Sequence, residues 1–183
     1  MKIMDRYRRF LAVSLMLMAG TILHAQKARM YDSLSGLTNT SINRVSQDSE
    51  GFLWIATQGG LFRFDGTDFV QYGSEFQGGR SNVLVYHEDE RKNAWVGTSQ
   101  GLYLRRSGSD FFAPYELSHL ESSTSTPYVS DIVEDLSGHL FVATSGSGVY
   151  VINTGTCEPD YSMIEKISAA FAVFPKMIPR IAR

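Results

Sequence analysis

The residues of this chain that could do chemistry fall into three groups. Asp48, Asp89 and Asp135 sit at matching places in related segments, and a pair of carboxylates flanking a glycosidic bond is the acid and base apparatus of a glycosidase. A residue repeated in every segment serves the segment, however, so turn formation explains these aspartates better than catalysis does. The sialidase-type Asp box also puts its glycine two residues after the aspartate, whereas Gly51 and Gly138 come three after theirs. His87, His119 and His139 stand singly, with neither the helical pair of a metalloprotease nor a Cys-His spacing for zinc. "GSGVYV" contains Gly146 and Gly148 but no third glycine, and it joins two runs that read as strands, where the dinucleotide fingerprint opens a helix. No catalytic residue, metal set or cofactor is expected.

The elements around these residues repeat. "SINRVSQDSEGFLWIATQGGLFRF" returns as "NVLVYHEDERKNAWVGTSQGLYLR" and again as "YVSDIVEDLSGHLFVATSGSGVYV", at intervals of about 41 and then 46 residues. The matching positions are Asp48, Gly51, Trp54, Thr57 and Gly60 in the first copy. Asp89, Trp95, Thr98 and Gly101 follow in the second, and Asp135, Gly138, Phe141, Thr144 and Gly148 in the third. Runs such as "FLWIAT", "AWVGT" and "LFVAT" are rich in aromatic and β-branched residues and are bounded by turn residues, so each copy reads as short strands. In the first copy these are roughly 41–47, 52–57, 61–64 and 68–72. A period of 40 to 50 residues holding four strands is the signature of a β-propeller blade, which buries its faces only against neighbouring blades. Trp54, Trp95 and Phe141 are expected between blades.

The fold expected is therefore all-β, a partial propeller of about three four-stranded blades preceded by a signal peptide and one extra strand. "MKIMDRYRR" is basic and the following "FLAVSLMLMAGTIL" is uncharged, the layout of a secretory signal over 1–25 with cleavage after Ala25. An entry strand is expected over 29–40, with "RMYDSL" in the place of an outermost strand. The blades are expected over 41–73, 82–116 and 128–157, and a divergent tail over 158–183 with a short helix over 161–174. Only one cysteine, Cys157, is present, so the fold holds by packing rather than by an intrachain bridge. Seventeen Lys and Arg against nineteen Asp and Glu, a net charge of -2, leave no electrostatic footprint for nucleic acid. A membrane contact is expected only through an uncleaved signal or a part beyond this chain.

These residues resemble the two-component regulator propeller repeat, whose spelling is an aspartate, a nearby glycine, an apolar-Trp-apolar-Gly-Thr strand and a Gly-Leu strand. Asp48, Gly51, Trp54, Thr57, Gly60 and Leu61 carry the match, "DGTDF" at 65–69 resembles the segment that follows it, and "DSLSGLTNTSINRV" at 32–45 looks like the usual entry into a first blade. The second copy departs from the pattern at Lys92, where the others have glycine, so that turn must differ or carry strain. The third copy has Phe141 in place of tryptophan. The resemblance implies a periplasmic, ligand-sensing region of a hybrid two-component regulator, one that recognises an oligosaccharide and has its output domains elsewhere. Three blades do not make a ring, so this reading takes the chain as an N-terminal fragment whose partners are the remaining blades or a second copy.

In propellers the loops entering each blade and the turn between its second and third strands gather on one face around the axis. By that geometry Asn39, Thr40, Gln58, Arg80, Asn82, Gln100 and Tyr128 are the ligand-binding candidates. Amides and a guanidinium can bond sugar hydroxyls, and a tyrosine can stack on a pyranose. Two other classes stay open on the sequence alone: a carbohydrate-active propeller enzyme, glycosidase or lyase, and a protein-interaction scaffold.

Overall fold

The structure, a computed structural model, describes residues 30–73, 76, 81–117 and 126–160, together with 4, 7, 28 and 162. Two compact units are distinguished, Met1–Met30 and Tyr31–Arg183, and every strand lies in the second. The signal segment, His119, Arg80 and the tail helix expected at 161–174 lie outside the described residues, apart from Met4, Tyr7 and Ser162.

Three four-stranded antiparallel sheets follow one another along the chain. The first holds β1 (Ile42–Gln47), β2 (Leu53–Thr57), β3 (Gly60–Phe64) and β4 (Phe69–Tyr72) in that order. The second holds β5 (Val83–Glu88), β6 (Ala94–Thr98), β7 (Gly101–Arg105) and β8 (Ala113–Tyr115). The third holds β9 (Tyr128–Glu134), β10 (His139–Ser145), β11 (Gly148–Asn153) and β12 (Glu158–Pro159). Each sheet is a blade built as a simple meander, and consecutive blades meet through β1 with β5 and through β5 with β9. The third blade therefore runs two residues past the expected end at 157. Cys157, at φ 56, turns the chain so that Ile152 pairs with Pro159 and Asn153 with Glu158.

The alternation of side chains along each strand puts one apolar row on either face, and the rows meet between blades. Between blades 1 and 2 lie Trp54, Ala56 and Leu61 against Val83, Tyr86, Val96 and Tyr103. The Trp54 ring stacks on Tyr86 at 4.4 Å and 7°. Between blades 2 and 3 lie Val85, Trp95 and Leu102 against Val129, Ile132, Leu140 and Val142. Here the blades approach closely because Gly97 has no side chain: a Cβ there would stand 2.6 Å from Val129 Cγ1 and 2.7 Å from Val85 Cγ1. The two tryptophans are thus inter-blade residues, as expected. Phe141 holds the equivalent rung of blade 3. It pairs with Val133 and Val151 on the far face of blade 3, where it is half-buried and Val133 and Val149 are 55% and 58% exposed.

The segment before β1 also differs from the expected strand over 29–40. Its described part makes a 3-10 turn at Ser33–Ser35, capped where the Asp32 carboxylate accepts the Leu34 amide at 3.0 Å and ended by Gly36 at φ 98. An outermost strand needs a ladder partner, and none is present here among the described residues. Side-chain packing anchors the segment instead. Tyr31 lies edge-on to Phe64 and Phe69 at 4.9 and 5.6 Å, and Leu37 joins Ile55 and Phe62 on the outer face of blade 1.

Candidate functional site

The first strand of each blade begins at one rim of the array, beside the turn joining the second and third strands. Ile42 pairs with Thr57 and Val83 with Thr98, while Tyr128 pairs with Ser145. The turns are held the same way in each blade. Thr57 Oγ1 donates to the Gly60 carbonyl at 2.9 Å, Thr98 Oγ1 to Gly101 at 2.9 Å, and Thr144 Oγ1 to Gly148 at 2.7 Å. Glycine is required at the far side of these turns, where φ is 133, 118 and 80°.

The ligand candidates of this rim divide between those in use and those that are free to reach out. Asn39 accepts the Ser41 amide at 3.1 Å and packs against Gly59, where a Cβ would meet its Nδ2 at 2.6 Å. Asn82 accepts from Asn43 Nδ2 at 2.7 Å. Gln100 accepts from Ser81 Oγ at 3.4 Å and is otherwise exposed. Thr40, Gln58 and Tyr128 are exposed, Tyr128 by 38% at the first position of β9. Arg80 lies outside the described residues. The described candidates thus share an edge, and their groups are neutral amides, a hydroxyl and one aromatic face.

Three residues here escaped the sequence reading. Each inner strand changes register near this rim, between Ile42 and Arg44, between Val83 and Val85, and opposite the Ala143–Thr144 step where Val129 and Asp131 pair. Such bulges bend a strand and re-aim its side chains. Arg44 follows the first and Asp131 the third, and the two form an ion pair between blades 1 and 3 past the inner strand of blade 2. Asn43 itself donates to the Val83 carbonyl at 2.6 Å. No local sequence signal marks a bulge made by non-glycine residues, and nothing local tells that residues 87 positions apart will meet.

At the opposite rim stand the repeated aspartates, and every one is a turn clasp. Asp48 Oδ1 accepts the amides of Glu50 and Phe52 at 3.0 and 2.9 Å, and its Oδ2 accepts the Trp54 indole at 2.8 Å. Asp89 repeats this with Arg91, Asn93 and Trp95. Asp135 takes the amides of Ser137 and His139, and the His139 ring, Nδ1 at 3.0 Å from Oδ2, stands where the other blades bring an indole. The substitution of Phe141 for tryptophan is thereby matched at the carboxylate. Blades are also stapled here, since Glu88 accepts the Ser49 amide of blade 1 at 2.9 Å and Glu134 the Glu90 amide of blade 2 at 3.1 Å. The histidines serve the same framework: His87 Nε2 lies 3.4 Å from Glu134, and His139 Nε2 lies 3.3 Å from Asp160.

Lys92 settles how the second turn manages without glycine. Its φ is 64°, in the same left-handed region as Gly51 at 93° and Gly138 at 78°, so the turn is unchanged and the lysine carries the strain. Lys92→Gly is expected to raise stability by about 0.5–1 kcal/mol, read as a higher urea midpoint with an unchanged slope. The same turns set an acid limit. Asp135 is held below its ordinary value of 3.8, first by the His139 amide and then by the His139 ring and the Ser137 amide; Asp65 is held down by the amides of Asp68 and Thr67. A depressed folded-state value means stability that is present above about pH 4 and lost as pH falls through the folded value. Asp135→Asn is expected to flatten the fall of the unfolding midpoint below pH 4 and to leave its shape above pH 5 unaltered.

Burial pushes the Cys157 thiol up, and its sulfur donates to the Thr154 carbonyl at 3.6 Å. Among the described residues no group of three or more His, Cys, Asp or Glu side chains has metal-holding geometry, and no helix is long and apolar enough to cross a membrane.

Residues 36–59 match the family model described as a two component regulator propeller. No match to the chain was found among curated proteins. Among solved structures the chain is similar to the extracellular domain of a hybrid two component system of B. thetaiotaomicron, at 27% identity and a TM-score of 0.60, over 73% of this chain and 20% of that one. A second extracellular domain of such a system from the same organism matches in fold at 17% identity and a TM-score of 0.57, over 72% of this chain and 18% of that one. The chain spans about a fifth of the length of these structures. The first blade thus carries a two component regulator propeller repeat at 36–59, and the three-blade array is similar to part of the extracellular domain of a hybrid two component system.

Proposed function

We propose that this array is the ligand-sensing part of a hybrid two-component regulator, exported to the periplasm, and that its inner-strand rim takes part in recognising an oligosaccharide. The observation that carries the reading is the gathering of Asn39, Gln58, Asn82, Gln100 and Tyr128 on one edge of the blades. Neutral amides with an aromatic face suit a ligand of hydroxyls and apolar ring faces, and the exposed Arg44–Asp131 pair adds a donor and an acceptor beside them. Further blades, or a second copy, are the partners that the exposed face of blade 3 suits.

Catalysis is the weaker reading because the repeated carboxylates are already engaged. Each of Asp48, Asp89 and Asp135 holds a turn amide with one oxygen, the work of a turn clasp rather than of an acid or base. The test is a glycan array probed with the purified chain, followed by calorimetry with any glycan retained. The reading expects binding that weakens about tenfold or more in Asn82→Ala and Tyr128→Ala. Failure to retain any glycan, or affinity indifferent to both substitutions, overturns it.

A further inference from the structure

The interface between blades 1 and 2 contains an anomaly that the interface between blades 2 and 3 lacks. Across the rung from Trp95 stands Leu104, which completes an apolar seam, whereas across the rung from Trp54 stands Arg63. Blade 2 presents a second arginine, Arg105, to the same place. The Arg63 guanidinium lies 4.5 Å from the Phe52 ring centroid and 5.7 Å from that of Tyr72, and Arg105 lies 5.3 Å from Trp54 and 5.4 Å from Phe112. The ring faces hold the guanidinium planes but accept no ordinary hydrogen bond.

Neither arginine has an ion-pair partner among the described residues. The Nε atom of each is buried without a hydrogen-bond partner, while Tyr86, which stacks on Trp54, sets its hydroxyl against Arg105. Buried donors are almost always paired, and leaving one unpaired costs about 1–3 kcal/mol. Both arginines line a cleft of about 270 Å3, with Lys92 and Arg106 at its edge. Acidic residues line it as well, namely Asp48, Glu50, Glu88 and Asp110. Asp48 is turned to its own turn amides and the Trp54 indole, and Glu88 to the Ser49 amide, so neither serves the guanidiniums. These carboxylates make the cleft as a whole nearly neutral, which disfavours a polyanion and leaves room for one small charge.

The geometry points to an oxyanion-binding cleft between blades 1 and 2, on the rim opposite the amide-lined edge, in which Arg63 and Arg105 together hold a single sulfate, phosphate or carboxylate group. A guanidinium offers a planar fork of donors that fits such a group, and a bound oxyanion satisfies the orphaned N–H groups while separating two like charges. The anion also ties blade 1 to blade 2. The site is independent of the sugar-binding rim, so either can fail without the other.

The experiment follows the Arg Nε–Hε cross-peaks of the purified chain by NMR while sodium sulfate is added against sodium chloride at equal ionic strength. Saturable shifts of the Arg63 and Arg105 peaks with sulfate and not with chloride are expected. Arg63→Leu, which copies the residue at the equivalent rung of blade 2, and Arg105→Lys, which keeps charge but not the fork, should each weaken the effect about tenfold. Parallel titrations with phosphate, with a sulfated monosaccharide and with its unsulfated parent separate a free ion from a saccharide-borne group. Saturation by the inorganic ion assigns a free oxyanion, and saturation by the sulfated sugar alone assigns an ester. Non-saturating shifts shared with chloride, or binding unchanged in both variants, overturn the proposal.

Discussion

Asp89→Ala is expected to cost about 4 kcal/mol, a large part of the roughly 5–15 kcal/mol that stabilises a domain of this kind. Asp89 is 3% exposed and accepts four hydrogen bonds, from the Arg91 and Asn93 amides, the Asn93 side chain and the Trp95 indole. Removing its carboxylate strands all four donors at once, and no solvent reaches the buried ones to replace it. The loss should be read as a lower urea midpoint. Asp135→Ala, which gives up a more exposed carboxylate with no indole partner, should lower the midpoint clearly less. Equal effects of the two substitutions would show that the clasp works through the turn alone and not through the tryptophan.

Trp95→Ala is expected to cost about 3–5 kcal/mol, as large-to-small changes of buried aromatics do. Its ring is fully buried within the cluster that joins blades 2 and 3, edge-on to Tyr115 at 5.3 Å. The change opens a cavity at that interface and also leaves Asp89 Oδ2 with only the Asn93 side chain. Trp95→Phe, which copies blade 3, keeps most of the ring and should cost much less. Because the indole and the carboxylate share one hydrogen bond, the effects of Asp89→Ala and Trp95→Ala should fall short of adding. Full additivity in a double-mutant cycle would refute the coupling. Blade 3 itself shows the alternative arrangement, with Phe141 on an open face and His139 on the carboxylate.

The blades were legible in the residues because they are local. A strand of alternating character and a turn spelled Asp-x-x-Gly depend on neighbours in sequence. β1 to β4 consequently fall within a residue of where the pattern puts them, and the repeat carries the reading through the other blades. The strain at Lys92 was equally readable, since only glycine takes a left-handed turn without cost. The entry segment is harder to read, because a strand exists only through a partner, whereas the turn at Ser33–Ser35 closes on its own Asp32 cap and Gly36. Tertiary packing alone decided which acid reaches which turn, how Arg44 meets Asp131, and that Arg63 and Arg105 line one cleft without an ion-pair partner among the described residues. These depend on the angle between blades and on bulges in the inner strands, quantities that no residue spells by itself. The sequence, by repetition, determined a row of sheets that bury aromatic faces against one another; only their stacking, which brings side chains from different blades within bonding distance, decided where charge is left unanswered.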